Sequence, residues 1–320
     1  MFAAQLVRPY QFELIETTTP DVDCIPDGVL VKLRRACVCG SDLPFFNGHQ
    51  PGIEFPLTPG VSIHECIGVV AASRCPRFQE GDDVLALPLA TDGLVEYLLT
   101  DGTNTVPLPA GRPGEELLMG QPLGTVVWAM RKLPSLLNWD TVVMGQGPMG
   151  LLITQVLSNL GAKTIVASDL LDYRLAKSRS MRATHTVNST RDDLRAVVME
   201  ITEGRGADLV VEAVGQNQQT INDCLDLVRR GGTILAFGVA EEEAYIVRYR
   251  DFFFKNVTLI GTVGPDVQND FALSLRWIAE GRVDVRPLLT HARPFREVQA
   301  AFELVVARAD GVVKCLLEYD

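Results

Sequence analysis

The chain of 320 residues reads as an α/β protein, a doubly wound parallel sheet joined to a smaller, mainly antiparallel β unit. Three observations point there. The first third carries short β-type runs separated by turn residues. From about residue 115 onward, short apolar strands alternate with helical patterns. At the join of one such strand and helix stands Gly145-Gln146-Gly147-Pro148-Met149-Gly150. Regular short strands with turns suggest an antiparallel β unit. Strands alternating with helices predict a parallel sheet with helices on both faces.

Taken in order, residues 28–33 read as a strand, as do 66–71, 83–87 and 94–99, with turns at Asn47-Gly48 and Pro51-Gly52. Residues 115–133 are largely apolar at helical spacing. Strands follow at 141–144, 164–167, 208–213, 232–237 and 257–260. Helices are expected at 149–160, 171–181 and about 220–228. The last stretch holds helices at 271–280 and 295–308 and a strand at 311–317. No internal repeat is visible. The length exceeds one ordinary core. The expected partition puts 1–122 with 264–320 in one domain and 123–263 in the other.

Composition narrows the function. Hydrophobic residues make up 47% and charged residues 22%, ordinary globular values. No low-complexity tract or long like-charge run supports a disordered protein. The 29 basic and 40 acidic residues give a net charge of −11 and a pI near 4.9. Such a surface repels phosphate backbones and anionic lipid, which argues against nucleic-acid or membrane partners. Residues 141–162 carry no charge and are long enough for a bilayer, about 20 residues. Their glycines and Pro148 divide them instead into a strand, a turn and a helix. The seven cysteines are scattered, and residues 1–10 show no secretory leader. A reducing cytoplasm is expected, with the cysteines as free thiols or metal ligands.

The glycine turn has a specific physics. Gly145 permits the tight turn, Gly147 lets backbone approach a pyrophosphate, and Gly150 lets helix pack on strand. The helix N-terminus at Pro148 and Met149 offers its positive dipole end to the phosphates. Asp169 lies 19 residues after Gly150, at the end of the second strand. A carboxylate there accepts hydrogen bonds from both ribose hydroxyls and repels a 2′-phosphate, which favours NAD over NADP. Arg174 follows, either stacked on the adenine edge or as a surface helix arginine.

Cys39 and His64 are 25 residues apart, a separation with little meaning alone. Their surroundings carry more. Cys37-Val38-Cys39-Gly40-Ser41-Asp42-Leu43, Ile63-His64-Glu65-Cys66-Ile67-Gly68, Gly81-Asp82-Asp83-Val84 and Asp92-Gly93-Leu94-Val95-Glu96-Tyr97 stand in one chain with the glycine turn. Together they resemble the medium-chain dehydrogenase/reductase superfamily, in its zinc-dependent alcohol, sorbitol and threonine dehydrogenase branch. The resemblance implies a Rossmann cofactor domain beside a GroES-like catalytic domain. It places Val214, Gly215 and Val239 at the cofactor, and Cys39, His64 and Glu65 in or beside the shell of one catalytic zinc. Ser41 would contact the substrate hydroxyl and pass its proton outward, and Asp42 would orient His64. The expected activity is hydride transfer between NAD and a small-molecule secondary alcohol, polyol or hydroxy amino acid. Two rival readings are a zinc-free NAD(P)H reductase of the same fold and a nucleotide-binding protein without catalysis. The resemblance also implies a homodimer or homotetramer, with residues 256–263 as the candidate edge.

Three departures stand out. The lobe that commonly holds a structural zinc is missing, since residues 85–97 contain no cysteine, and no structural zinc is expected. Gln121 occupies the place of an acidic ligand in sorbitol-type members. Either Glu65 then ligates directly, balancing the metal's charge together with Cys39, or zinc binding is weak or lost. Pro44 stands where many relatives have a proton-relaying histidine, which leaves the cofactor ribose with water, or His49, as routes. Phe45, Phe46, Trp128 and 252–254 are candidates for substrate wall or for packing.

Overall fold

Alternation in the first third builds antiparallel sheet. The computed structural model describes residues 1–215, 217–240 and 242–320. Strands β1 (Phe2–Arg8) and β2 (Gln11–Glu16) form a hairpin. β3 (Gly28–Cys37) is long, and within it Lys32 and Arg34 face solvent while Val31 and Leu33 are buried. Helix α1 (Leu43–Asn47) follows a short 3-10 turn at Gly40–Asp42. β4 (Glu65–Ser73), β5 (Asp83–Ala86), β6 (Tyr97–Asp101) and β7 (Thr105–Pro107) complete the N-terminal strands.

The helix expected over 115–133 is two helices, α2 (Gly114–Leu118) and α3 (Gly120–Arg131). Pro122 explains the break. Proline lacks the N–H that an interior turn needs, so it sits in the first turn of a new helix.

From β8 (Asp140–Met144) the pattern becomes parallel α/β. Helix α4 (Pro148–Asn159), β9 (Thr164–Asp169), α5 (Asp172–Ser180), β10 (His185–Asn188) and α6 (Leu194–Ile201) come first. β11 (Ala207–Glu212), α7 (Gln219–Leu227), β12 (Val228–Ala236), α8 (Tyr249–Lys255) and β13 (Thr258–Gly261) follow. The chain ends with α9 (Ala272–Ala279), β14 (Leu289–Pro294), α10 (Val298–Ala307) and β15 (Lys314–Glu318). Among the described residues no helix is long and apolar enough to cross a membrane.

The chain divides into two compact units. One comprises Met1–Gly124, Asp266–Gly281 and Leu288–Asp320; the other comprises Thr125–Pro265 and Arg282–Pro287. Residues 282–287 therefore lie with the second unit, although the sequence reading grouped all of 264–320 with the first. Gln155 and Asn159 on α4 bond the backbone of Asp284 and Arg282 and hold that segment there.

In the first unit a seven-stranded sheet runs β14-β15-β3-β4-β5-β7, with β6 also on β3. Phe46, Phe302, Ile63 and Leu98 lie in its core. In the second, six parallel strands run β10-β9-β8-β11-β12-β13. β8, β9 and β11 are buried throughout, as expected of strands covered on both faces. The order reverses between β8 and β11, the switch point at which such sheets bind ligands beyond their carboxyl ends.

Candidate active site

Sheet register turns the 25-residue separation into a contact. β3 and β4 are antiparallel with Cys37 opposite Glu65, so Cys39, just past the end of β3, meets His64, just before β4. One ligand atom from each of Cys39, His64 and Glu65 lies within 4.8 Å of the others. A thiol, an imidazole and a carboxylate this close form a donor set that suits zinc.

Asp42 builds the local geometry. Its Oδ2 accepts the Cys39 N–H at 2.7 Å, closing the 3-10 turn. Its Oδ1 lies 3.4 Å from His64 Nδ1. That contact leaves the other ring nitrogen of His64 for a metal, the positioning arrangement expected of Asp42. Burial pushes the Asp42 carboxyl up, against the His64 hydrogen bond and charge that lower it. Burial would lower His64, but hydrogen bonds and charge from Asp42 and Cys39 outweigh it and hold the imidazole well above its ordinary value.

Glu65 has a partner with no sequence motif to announce it. Lys314 Nζ donates to both carboxylate oxygens, at 2.5 and 2.7 Å, and both side chains are buried. The register accounts for the meeting. Leu316 of β15 and Glu65 of β4 both stand opposite Cys37. Lys314 is two residues from Leu316 and shares its face. Burial alone would lower the Lys314 pKa, but the Glu65 charge raises it well above the ordinary lysine value. The legible signal was a lysine inside the apolar run Val312-Val313-Lys314-Cys315-Leu316, since lysine is almost never buried unpaired.

The other expected residues fall as follows. Ser41 is half-buried in the Gly40–Asp42 turn. Gln121 is buried in the first turn of α3. Pro44 opens α1, and His49 is exposed. Phe46 is fully buried against Phe12 and Phe302, with ring centroids 5.5 and 5.1 Å away, which makes it core and not substrate wall. Phe252 packs on the core of the second unit, while Phe253 and Phe254 are exposed. Trp128 donates its indole N–H to Val263 O.

The second unit carries the nucleotide features. Gly145 has φ +88°, and a Cβ there would meet Ala213 O at 2.8 Å. A Cβ on Gly150 would meet Gly145 O at 1.8 Å. At Gly147 a Cβ would meet nothing closer than Arg174 Nη1 at 3.8 Å, so that side of the turn is open for a ligand. The tight turn at Gly145 and the close helix–strand packing at Gly150 are the steric demands read from the sequence. Pro148 is the first residue of α4, and Met149 stands beside it at the helix N-terminus. Asp169 Oδ2 accepts the Gln146 N–H at 2.7 Å and Oδ1 accepts the Leu171 N–H at 2.9 Å. Arg174 Nη1 lies 3.6 Å from Asp169 Oδ2, which directs the guanidinium to this corner. Beyond β11, Glu212 accepts the N–H groups of Val214 and Gly215 at 3.0 Å each. A Cβ on Gly215 would meet Val239 backbone at 2.9 Å, and Val214 and Val239 leave their side chains exposed.

A dinucleotide-type turn and a thiol–imidazole–carboxylate group in separate units of one chain define the class of metal-assisted, nucleotide-dependent oxidoreductases. Comparison with known proteins agrees. The family model described as "Zinc-binding dehydrogenase" matches residues 148–280, and that described as "Alcohol dehydrogenase GroES-like domain" matches residues 25–126. The chain belongs to the zinc-type medium-chain dehydrogenase superfamily. An alcohol dehydrogenase of Cupriavidus necator is 28% identical, over 99% of this chain and 98% of that one. An L-threonine 3-dehydrogenase of Anaeromyxobacter sp. is 26% identical, over 89% of this chain and 90% of the other. The structure of alcohol dehydrogenase TADH from Thermus sp. ATN1 superposes with a TM-score of 0.89 at 25% identity, covering all of both chains.

Proposed function

We propose that the protein is an NAD-dependent dehydrogenase of a secondary alcohol, polyol or hydroxy amino acid, with one catalytic zinc held by Cys39, His64 and Glu65. The observation that carries this is the convergence of those three donors with Asp42 behind the imidazole. Gln121, buried at the start of α3, is the further candidate ligand. Bound zinc supplies Lewis acidity that favours alkoxide formation, and bound NAD accepts hydride. The chain's own residues do the rest. Asp42 fixes the His64 ring, Lys314 fixes Glu65, and Ser41 contacts the substrate hydroxyl and takes its proton outward. Asp169 holds the adenosine ribose of NAD. We assign no structural zinc, because residues 85–97 lack cysteine. The seven cysteines are free, in keeping with a reducing cytoplasm.

One observation favours a second reading, the zinc-free NAD(P)H reductase. Both Glu65 oxygens are held by Lys314 and Gln121 is neutral, which leaves fewer anionic donors to balance a metal's charge. Metal content of the pure protein decides, together with NAD reduction on a panel of alcohols and polyols. Stoichiometric zinc, lost with turnover in Cys39→Ala, supports the first reading. Turnover without zinc supports the second, and tight NAD binding with neither supports a binding protein without catalysis.

A further inference from the structure

The middle residue of the first glycine pair, Gln146, is fully buried. Its side chain is not a spacer. Nε2 donates to Val143 O of β8 at 3.2 Å. Oε1 accepts the Thr154 hydroxyl of α4 at 3.1 Å and lies 2.8 Å from the Ser178 hydroxyl of α5. Ser178 Oγ is also 2.9 Å from Arg174 O, one turn back on the same helix. The Gln146 backbone N–H meets Asp169 Oδ2 at the end of β9. One residue therefore touches the strand before the turn, the helix after it, the ribose carboxylate and the helix that bears Arg174.

We infer that Gln146 is a positioning residue for the adenosine diphosphate half of the cofactor, setting the glycine turn, Asp169 and the Arg174 helix in one register before NAD arrives. The inference rests on the NAD-site reading above. The physical reason is preorganisation. A buried amide satisfied on both sides costs little to keep, whereas its loss frees the turn, and binding must then order it again. No direct contact with NAD is required of the side chain, which is turned into the protein.

The test is calorimetric binding of NAD and of ADP-ribose to the full-length protein. Gln146→Leu keeps the volume and removes both polar ends. Its dissociation constants for both ligands should rise about tenfold, the factor that corresponds to 1.4 kcal/mol. Ser178→Ala should give a smaller rise, and the double variant should bind no worse than Gln146→Leu alone, because both act through one bond. A Gln146→Leu protein that melts at lower temperature but binds both ligands as tightly as the parent would overturn the inference and leave Gln146 a purely structural residue. Should that variant fail to fold, Thr154→Val and Ser178→Ala carry the test, and unchanged affinity in both overturns it. Failure of the underlying NAD reading looks different, since the parent protein itself would then bind neither ligand.

Discussion

Lys314 and Glu65 are each almost completely buried, and a buried ion pair is costly to break from one side. Removing the lysine leaves an uncompensated carboxylate in the sheet, at a cost of about 3–5 kcal/mol. Lys314→Met should therefore lower the urea midpoint sharply in metal-free protein. The double variant Glu65→Gln/Lys314→Met should recover most of the loss, because it leaves no lone charge. Equal destabilisation in the single and double variants would show that the pair is not the cause. Asp169 makes a residue-scale prediction of another kind. Both its oxygens already accept backbone N–H groups, so the carboxylate is aimed before any ribose binds. Asp169→Ala should weaken NAD while leaving NADP little changed, narrowing the ratio of their dissociation constants. An unchanged ratio would remove Asp169 from the ribose site.

Legibility at the scale of elements followed burial. β8, β9 and β11 are short, continuous apolar runs, and their burial makes the parallel sheet readable from composition alone. The glycine turn was legible because Gly145 and Gly150 each answer a steric demand, while Gly147 leaves open space between them. Elements with weaker patterns escaped. β2 is exposed or half-buried throughout, and β10 is four residues with Val187 its one apolar member, so period-2 alternation is faint in them. β14 pairs in parallel with β15 but ends in the exposed residues Ala292, Arg293 and Pro294, with no buried apolar face to announce it. The Cys39–His64 contact was legible by resemblance and not by spacing, since only the β3–β4 register brings the two together. Lys314 and the Gln146 side chain were missed for a shared reason. Their partners lie 249 residues away in one case and 32 and 8 in the other, and no local pattern encodes such contacts.

For the whole molecule, the unanswered structural demand is the outer edge of β13. Among the described residues it ends the six-stranded sheet beside β12 alone, with Leu259 44% and Val263 85% exposed. An open edge bearing apolar side chains invites pairing with another strand. The protein shields part of it already, as Lys132 Nζ caps Gly261 O at 2.9 Å and Trp128 Nε1 caps Val263 O at 3.1 Å. A second copy is the partner we propose, because two such edges related by a two-fold axis meet as one self-complementary patch. The net charge of −11 opposes association of like copies, so apolar contact at the edge has to supply the attraction. Light scattering should therefore find a dimer whose stability rises with salt as the charges are screened. Leu259→Lys/Val263→Lys, which places like charges across the two-fold axis, should shift it to monomer. A parent protein that is monomeric at every salt concentration, or a double variant that stays dimeric, would move the contact away from this edge.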